Sequence, residues 1–364
     1  MSAPVRVLVT PKDGNPFQRL LYEEVTAAGT QVRYAEGPSG SQSFNLLVAP
    51  LMLARYRLAG YRILHIHWVF QFSFPWAPRA AMARRVMQWW FWFYLWSADT
   101  LGYRIVWTAH DLLPHDQVFF DDCQARQYLI DRADAVIALS HATASDLIEL
   151  GATDVRVIPS GPFTTPYPTT LGREAARNEF GFVADDVVVL LIGRIERYKG
   201  ADLLLEAAGT LPPSNPIKVV VVGACTDAAY RATLSELAGR AGERAIVRFD
   251  RIPAEEMASY LEAADFAAFP FRAITNSGSI VLAQSFGLPV LIPNLPSLRD
   301  VPEEAALRYD PLGGGLVETL ERAAQLTDQL RSDLGRAAKQ YANAMDWPTA
   351  ARLHVETYAK LLGG

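Results

Sequence analysis

The sequence predicts an α/β protein built as two doubly wound domains, and three observations carry that prediction. Short aliphatic, β-branched runs alternate with helical patterns along the whole chain, the arrangement that gives a parallel sheet covered by helices. At 364 residues the chain exceeds what one ordinary core organises, so two domains are expected. Residues 160–171, SGPFTTPYPTTL, are rich in Pro, Thr and Gly without periodicity and read as a linker between two copies of the same plan. The expected division is 1–165 and 166–345, with a closing helix over 346–364 that could pack back on the first domain.

Composition removes several function classes. The net charge is −5, from 34 Lys and Arg against 39 Asp and Glu, so there is no electrostatic case for general nucleic-acid binding. Cys123 and Cys225 lie far apart with no metal-type spacing, which supports neither a disulfide framework nor a zinc site and fits a reducing cytosol. The N-terminus runs directly into a strand without the charged and apolar regions of a signal peptide. No apolar stretch reaches the roughly 18 residues that a spanning helix needs; the nearest, MQWWFWFYLW over 87–96, is about half as long. A cytoplasmic protein is the expectation.

In the first half, VRVLVT (5–10) is a buried strand, PKDGNP a turn-rich loop, and FQRLLYEEVTAA (17–28) a helix ending before Gly29. Asp13 and Asn15 sit in that loop. Residues 31–34 suggest a short strand and ILHIHW (63–68) a clearer one, with His65 and His67 on one face because strand side chains alternate. Two histidines at this spacing invite a metal, but no Cys or acidic ligand accompanies them. They read better as a core histidine and a residue on the rim at the strand end, His67 being the functional candidate.

Residues 79–101 form one long helix carrying Arg84 and Arg85 before the Trp-rich run. It is apolar on nearly every side, so it is either buried between elements or lies on a membrane surface with its arginines toward anionic lipid. RIVWTA (104–109) is a strand followed at once by HDLLPHD, which puts His110, Asp111 and Asp116 just past a strand end, where loops carry function. ADAVIAL (133–139) and VRVIP (155–159) are further strands, and Ser140 caps the helix between them.

The second half opens on residues 187–200, VVVLLIGRIERYKG. A buried strand ends at Gly193 and delivers Arg194 and, after four residues, Lys199 to its carboxyl end. A planar guanidinium and a compact ammonium in that crevice suit a diphosphate. A helix over 201–210, a strand over 217–222, a helix over 228–241, a strand over 246–249 and a helix over 253–264 follow. The strand FAAFP (266–270) then leads into FRAITNSGS. There Asn276, Ser277, Gly278 and Ser279 precede the helical run IVLAQSFG, so backbone N–H groups of a helix start and small polar side chains face the same crevice. Such a start receives phosphate, and across from Arg194 and Lys199 it would complete a diphosphate cradle. LPVLIP (288–293) is another strand, and helices over 316–326, 332–344 and 347–362 close the chain.

GRIERYKG, AEEMASYLEAADFAAFPF and SFGLPVL, in this order, resemble the second half of family-4 glycosyltransferases of the GT-B fold, and LHIHW, RIVWTAHDLLPHD and DVRVIPSG are similar to stations of their first half. The resemblance spans almost the whole chain. It implies two Rossmann-like domains facing across a cleft, the acceptor on the first domain and the nucleotide-sugar donor mostly on the second. It implies that Arg194 and Lys199 meet the donor diphosphate and stabilise the leaving nucleoside diphosphate, and that His110 helps orient the donor sugar. Family members commonly carry two glutamates with seven residues between them before the GxPV strand. The corresponding places here are Ile274 or Thr275 and Leu282, and no acid lies between 271 and 287. Backbone amides with Asn276, Ser277 and Ser279 would take over those contacts.

The function expected is transfer of a sugar from a nucleoside diphosphate-sugar to a glycan or lipid-linked glycan, in polysaccharide or glycolipid assembly. No cofactor and no divalent metal are expected, since two cations and a helix start neutralise the diphosphate. An inverting reaction would need a carboxylate base, for which Asp111 and Asp116 are the candidates beside His110; Asp13, Asn15 and His67 would line the acceptor side. The protein would be cytoplasmic, with peripheral contact to the inner face of the membrane through 79–101. Two rivals remain: a nucleotide-sugar-binding or scaffold protein weakened by the missing glutamates, and a sugar epimerase of the same GT-B architecture.

Overall fold

The computed structural model describes residues 4–35, 42–71, 81–168 and 171–363. The chain divides into two compact units, residues 1–160 with 345–364, and residues 161–344. The first unit contains β1 (Arg6–Thr10), α1 (Pro16–Ala27), β2 (Gln31–Tyr34), α2 (Gln42–Leu58), β3 (Ile63–Ile66), α3 (Ala81–Thr100), β4 (Arg104–Ala109), α4 (Asp122–Ile130), β5 (Ala135–Ala138), α5 (His141–Glu149) and β6 (Val155–Val157). Its sheet runs β2-β1-β3-β4-β5-β6, with every neighbouring pair parallel. The central strands β3, β4 and β5 are buried on both faces, which is why they read as aliphatic runs rather than as alternating patterns. Leu8, Leu64, Trp107, Phe91 and Leu129 fill one core, each such side chain contributing about 1.5–3 kcal/mol on burial.

The second unit contains α6 (Arg173–Glu179), β7 (Val187–Ile192), α7 (Ala201–Thr210), β8 (Ile217–Val222), α8 (Ala228–Ala241), β9 (Ala245–Arg248), α9 (Ala254–Ala263), β10 (Phe266–Ala268), α10 (Gly278–Ser285), β11 (Val290–Pro293), β12 (Ala306–Tyr309), α11 (Gly315–Gln325) and α12 (Asp328–Ala342). Its sheet order is β12-β11-β10-β7-β8-β9, again parallel throughout. Both sheets reverse their direction of growth beside their first strand, between β1 and β3 and between β7 and β10. Loops leaving the strands at such a reversal part to opposite sides and leave a crevice, the usual ligand position in an open α/β sheet.

The last helix, α13 (Trp347–Leu361), belongs to the first unit and packs on α1. It starts at a cap from Asp346, whose carboxylate accepts from the Thr349 N–H at 2.6 Å. Arg156 Nη1 donates to Thr357 Oγ1 at 2.9 Å, which ties it to β6.

Several elements depart from the sequence expectation. α2, α4, α6 and β12 were absent from it, and α12 begins at Asp328 rather than at 332. Residues 79 and 80 of the expected long helix, and 169 and 170 of the linker, lie outside the described residues. The helix itself is neither wholly buried nor wholly exposed: Met87, Phe91, Tyr94 and Leu95 enter the core, while Met82, Val86, Trp89, Phe93 and Trp96 face outward.

Candidate functional site

In the second unit the loops after β7 and β10 are pressed together backbone on backbone. Gly200 has φ 70°, and a Cβ there would fall 2.0 Å from the Pro270 carbonyl oxygen, so only glycine allows the approach. Arg272 fastens the loops from the other side: its N–H donates to Tyr198 O at 2.8 Å, and its guanidinium grips both carboxylate oxygens of Asp202 at 2.9 and 2.6 Å. The Tyr230 hydroxyl donates to the same carboxylate at 2.7 Å.

This clamp fixes what stands in the crevice. A Cβ at Gly193 would lie 3.2 Å from Ser279 Oγ and 3.6 Å from Lys199 Nζ, so backbone, hydroxyl and ammonium converge on one spot. Ser277 caps α10, its Oγ accepting from the Ile280 N–H at 3.2 Å. Gly278 and Ser279 are therefore the first helical residues, whose N–H groups have no partner within the helix. Lys199 is only 8% exposed, and among the described residues no carboxylate pairs with it. Burial, partly offset by Glu196, pushes its ammonium down to about 8. A buried cation beside a helix start is an anion site. Arg194 stands differently: its side chain is 73% exposed and lies 3.6 Å from Glu196. Asn276 is half-buried in the loop.

The first unit assembles another kind of crevice. His110 follows β4, and its Nε2 lies 3.0 Å from His67 Nδ1. The Trp68 ring stacks on it at 4.3 Å, and Phe17 meets it edge-on at 4.8 Å. The sequence suggested His67 on the rim; it is 1% exposed, lies beneath His110, and its Nε2 is 2.7 Å from the Tyr22 hydroxyl. His65 Nδ1 is 2.8 Å from that hydroxyl and 2.7 Å from that of Tyr358, and its Nε2 is 2.8 Å from Thr108 Oγ1. Desolvation holds His65 and His67 well below the ordinary histidine value, with neighbouring imidazoles adding to it, and pushes His110 down to about 3 and His354 to about 4. At neutral pH the whole cluster is uncharged.

The other first-unit candidates are less committed to the crevice. Asn15 Oδ1 accepts from the Phe17 N–H at 3.0 Å as the cap of α1, and Asp13 Oδ1 accepts from the Asn15 N–H at 2.6 Å, so both shape the loop after β1. Asp111 is half-buried next to His110, and Asp116 is exposed further along the loop. Among the described residues no group of three or more His, Cys, Asp or Glu is placed to hold a metal ion.

Sequence reasoning passed over Tyr22, Trp68, Tyr358, Asp202 and Arg272. Tyr22 and Tyr358 lie 43 and 293 residues from His65, separations that no local pattern reveals. Gln284 on α10 was missed as well; it is fully buried and neither end of its amide has a partner, a cost of about 1–3 kcal/mol.

Residues 172–341 match the family described as Glycosyl transferases group 1, and residues 4–162 match Glycosyltransferase Family 4. A D-inositol 3-phosphate glycosyltransferase of Corynebacterium aurimucosum is 29% identical over 246 residues, covering 64% of this chain and 58% of that protein. The chain thus spans less than two thirds of that relative's length. Among solved structures, a sucrose-phosphate synthase from Thermosynechococcus elongatus superposes with TM-score 0.76 at 19% identity, over 99% of this chain and 100% of that one. Anabaena HepE in complex with UDP-glucose gives TM-score 0.72 at 18% identity, over 98% and 99%. The two matches together span most of the chain, which belongs to the GT-B glycosyltransferases resembling family 4.

Proposed function

We propose that the protein transfers a sugar from a nucleoside diphosphate-sugar to a glycan or lipid-linked glycan, without a divalent metal. The observation that carries this reading is the convergence of Gly193, Ser279 Oγ and the buried Lys199 ammonium at the start of α10. Lys199 gains a counter-ion when the diphosphate binds, and the same contacts strengthen as charge develops on the leaving group. Helix N–H groups and Ser277 and Ser279 replace the family's two carboxylates, whose places hold Ile274 or Thr275 and Leu282. Arg194 closes on the diphosphate from its exposed position. His110, neutral and clamped by Trp68 and Phe17, donates or accepts a hydrogen bond to the sugar, and Asp111 or Asp116 serves as base if the reaction inverts. UDP is the first nucleotide to try, since HepE is a structural neighbour that holds UDP-glucose. The experiment is product analysis with UDP-glucose and a panel of glycan and lipid-linked acceptors. Acceptor-dependent UDP release supports transfer. UDP-glucose binding with no product over the panel contradicts it in favour of a binding role, and isomerised donor without acceptor points to an epimerase.

Peripheral contact with an anionic bilayer on the cytoplasmic side extends this proposal. Met82, Val86, Trp89, Phe93 and Trp96 recur in steps of four and three, which places them on one outward stripe of α3. α2, joined to α3 by Trp90 Nε1 donating to Leu46 O at 2.9 Å, exposes Phe44, Leu47, Leu51 and Leu58. The two helices carry Arg55, Arg57, Arg84 and Arg85 against Asp99 alone, in a chain of net charge −5. An apolar, aromatic face edged with arginine suits an anionic lipid surface. Among the described residues no helix is long and apolar enough to cross a membrane. Flotation with phosphatidylglycerol vesicles, lost in Trp89→Glu/Trp96→Glu, is the expected result; wild-type protein left unbound, or dimerising through this face instead, would contradict it.

A further inference from the structure

The loop after β4 shapes a surface pocket of about 470 Å³ that the chemistry above does not use. Its lining begins three residues past His110, and its volume falls within the about 300–1,000 Å³ of small-molecule sites. Leu113, Pro114 and Phe120 supply apolar walls. Gln117, the α4 cap Asp121, and Asp122 and Cys123 in the first turn of α4 supply the rest.

One wall is tied to α3. The Asp121 N–H donates to Gln88 Oε1 at 2.8 Å, Phe119 stacks on Phe91 at 5.1 Å, and the Arg85 guanidinium covers the Phe120 ring at 4.2 Å. A wall held at three points leaves little ordering for a ligand to impose.

The polar atoms left over select the occupant. Asp121 Oδ1 accepts from the Gln124 N–H at 2.9 Å, which leaves Oδ2 open. The Gln117 amide donates to Phe120 O at 2.9 Å, which leaves its carbonyl oxygen open. Both Asp122 oxygens accept from N–H groups inside the turn, at Val118 and Phe119. The open oxygens are therefore acceptors in need of donors. A hydrocarbon chain would strip water from them and return nothing. An anion would face two carboxylates. A sugar ring satisfies both kinds of wall, since its C–H face lies on apolar surface while its rim of hydroxyls donates.

We propose that this pocket is an acceptor subsite taking one uncharged pyranose ring. Its place in turnover rests on the transferase reading above; the binding of sugar does not. Location supports the acceptor role, because the same loop carries His110 and Asp111. Arg85, over Phe120, lies three residues from Met82 and four from Trp89, at the edge of the outward stripe of α3. The pocket thus borders both that stripe and the loop of the candidate catalytic groups.

The pocket carries its own reporter. Cys123 lines it and is exposed, whereas Cys225 is buried, so alkylation of the folded chain by iodoacetamide reads Cys123. The experiment measures that rate by mass spectrometry with the methyl glycosides of glucose, galactose, mannose and N-acetylglucosamine, and with hexanol and hexanoate. At least one glycoside is expected to slow alkylation several-fold, and hexanol and hexanoate to leave it unchanged. Asp121→Asn keeps an oxygen for the α4 cap and turns the open acceptor into a donor. It should retain the rate of the free protein and lose the protection. Protection by none of the glycosides, equal protection by hexanol or hexanoate, or full protection in Asp121→Asn overturns the proposal; the wild-type comparison decides whether or not the variant folds. With UDP-glucose and an acceptor that is turned over, Asp121→Asn is expected to raise the acceptor KM about tenfold, the worth of one charged hydrogen bond, at unchanged donor KM. An unchanged acceptor KM overturns the acceptor role. Absence of turnover in the wild type overturns the transferase reading and leaves the protection of Cys123 as the measure of sugar binding.

Discussion

The two units share one architecture and line their crevices with opposite chemistry. In the second, the reversal between β7 and β10 gathers a buried ammonium, a hydroxyl and a helix start. In the first, the reversal between β1 and β3 with the adjoining β4 gathers imidazoles, phenols and indoles that are uncharged at neutral pH. Parallel sheet topology decides where a ligand sits; the residues just past the strand ends decide its charge. On the proposed reading, a charged diphosphate would sit on the second surface and hydroxyl-rich groups on the first.

Breaking the scaffold of the charged crevice should have the largest effect. Gly200→Ala drives a Cβ against the Pro270 carbonyl and forces a side chain into a left-handed backbone, at about 3 kcal/mol or more. Thermal denaturation should show a fall in Tm of several degrees. Lys199→Ala removes the cation while leaving the fold. It should weaken UDP binding at pH 7 by about 2–3 kcal/mol, the worth of a charged hydrogen bond, as measured by calorimetry. Arg194→Ala should cost less, about 0.5–1 kcal/mol, because the exposed guanidinium gives up solvent and Glu196 to reach the ligand.

Protons sharpen the same contrast. Lys199 is pushed down to about 8, so UDP affinity should fall as pH rises through that value, and Lys199→Arg should flatten the fall. The opposite sign holds for stability: above pH 8 and below the ordinary lysine value, the unfolded chain keeps a proton that the folded one has lost, so stability rises with pH. The first unit responds at the acid end. Its histidines refuse protons that the unfolded chain accepts below about 6.5, so denaturant melts should show stability lost steadily as pH drops from there toward 4. His110→Asn should reduce that slope. The account fails here if the slope is unchanged.

The fold was legible in the sequence wherever a strand was buried on both faces, because VVVLLI and IKVVVV have few alternatives. α2 escaped because it carries Pro50 inside a helix with little sidedness, and α4 and β12 because they are short and mixed in composition. Among the site residues, Lys199 and Ser279 could be proposed from their place after a strand, yet the strand-end rule could not tell that Arg194 would remain exposed. The histidine chain was half visible: His65 and His67 share a face by strand periodicity, but their partners arrive from α1 and α13, and no spacing encodes that.

The central claim is that a nucleoside diphosphate binds at the strand ends of the second unit, and amide hydrogen exchange with and without saturating UDP tests it most directly. Protection confined to residues 193–200 and 276–280, and absent in Lys199→Ala, is the result predicted. Protection in other segments, or none at a concentration that calorimetry shows to be saturating, would contradict it.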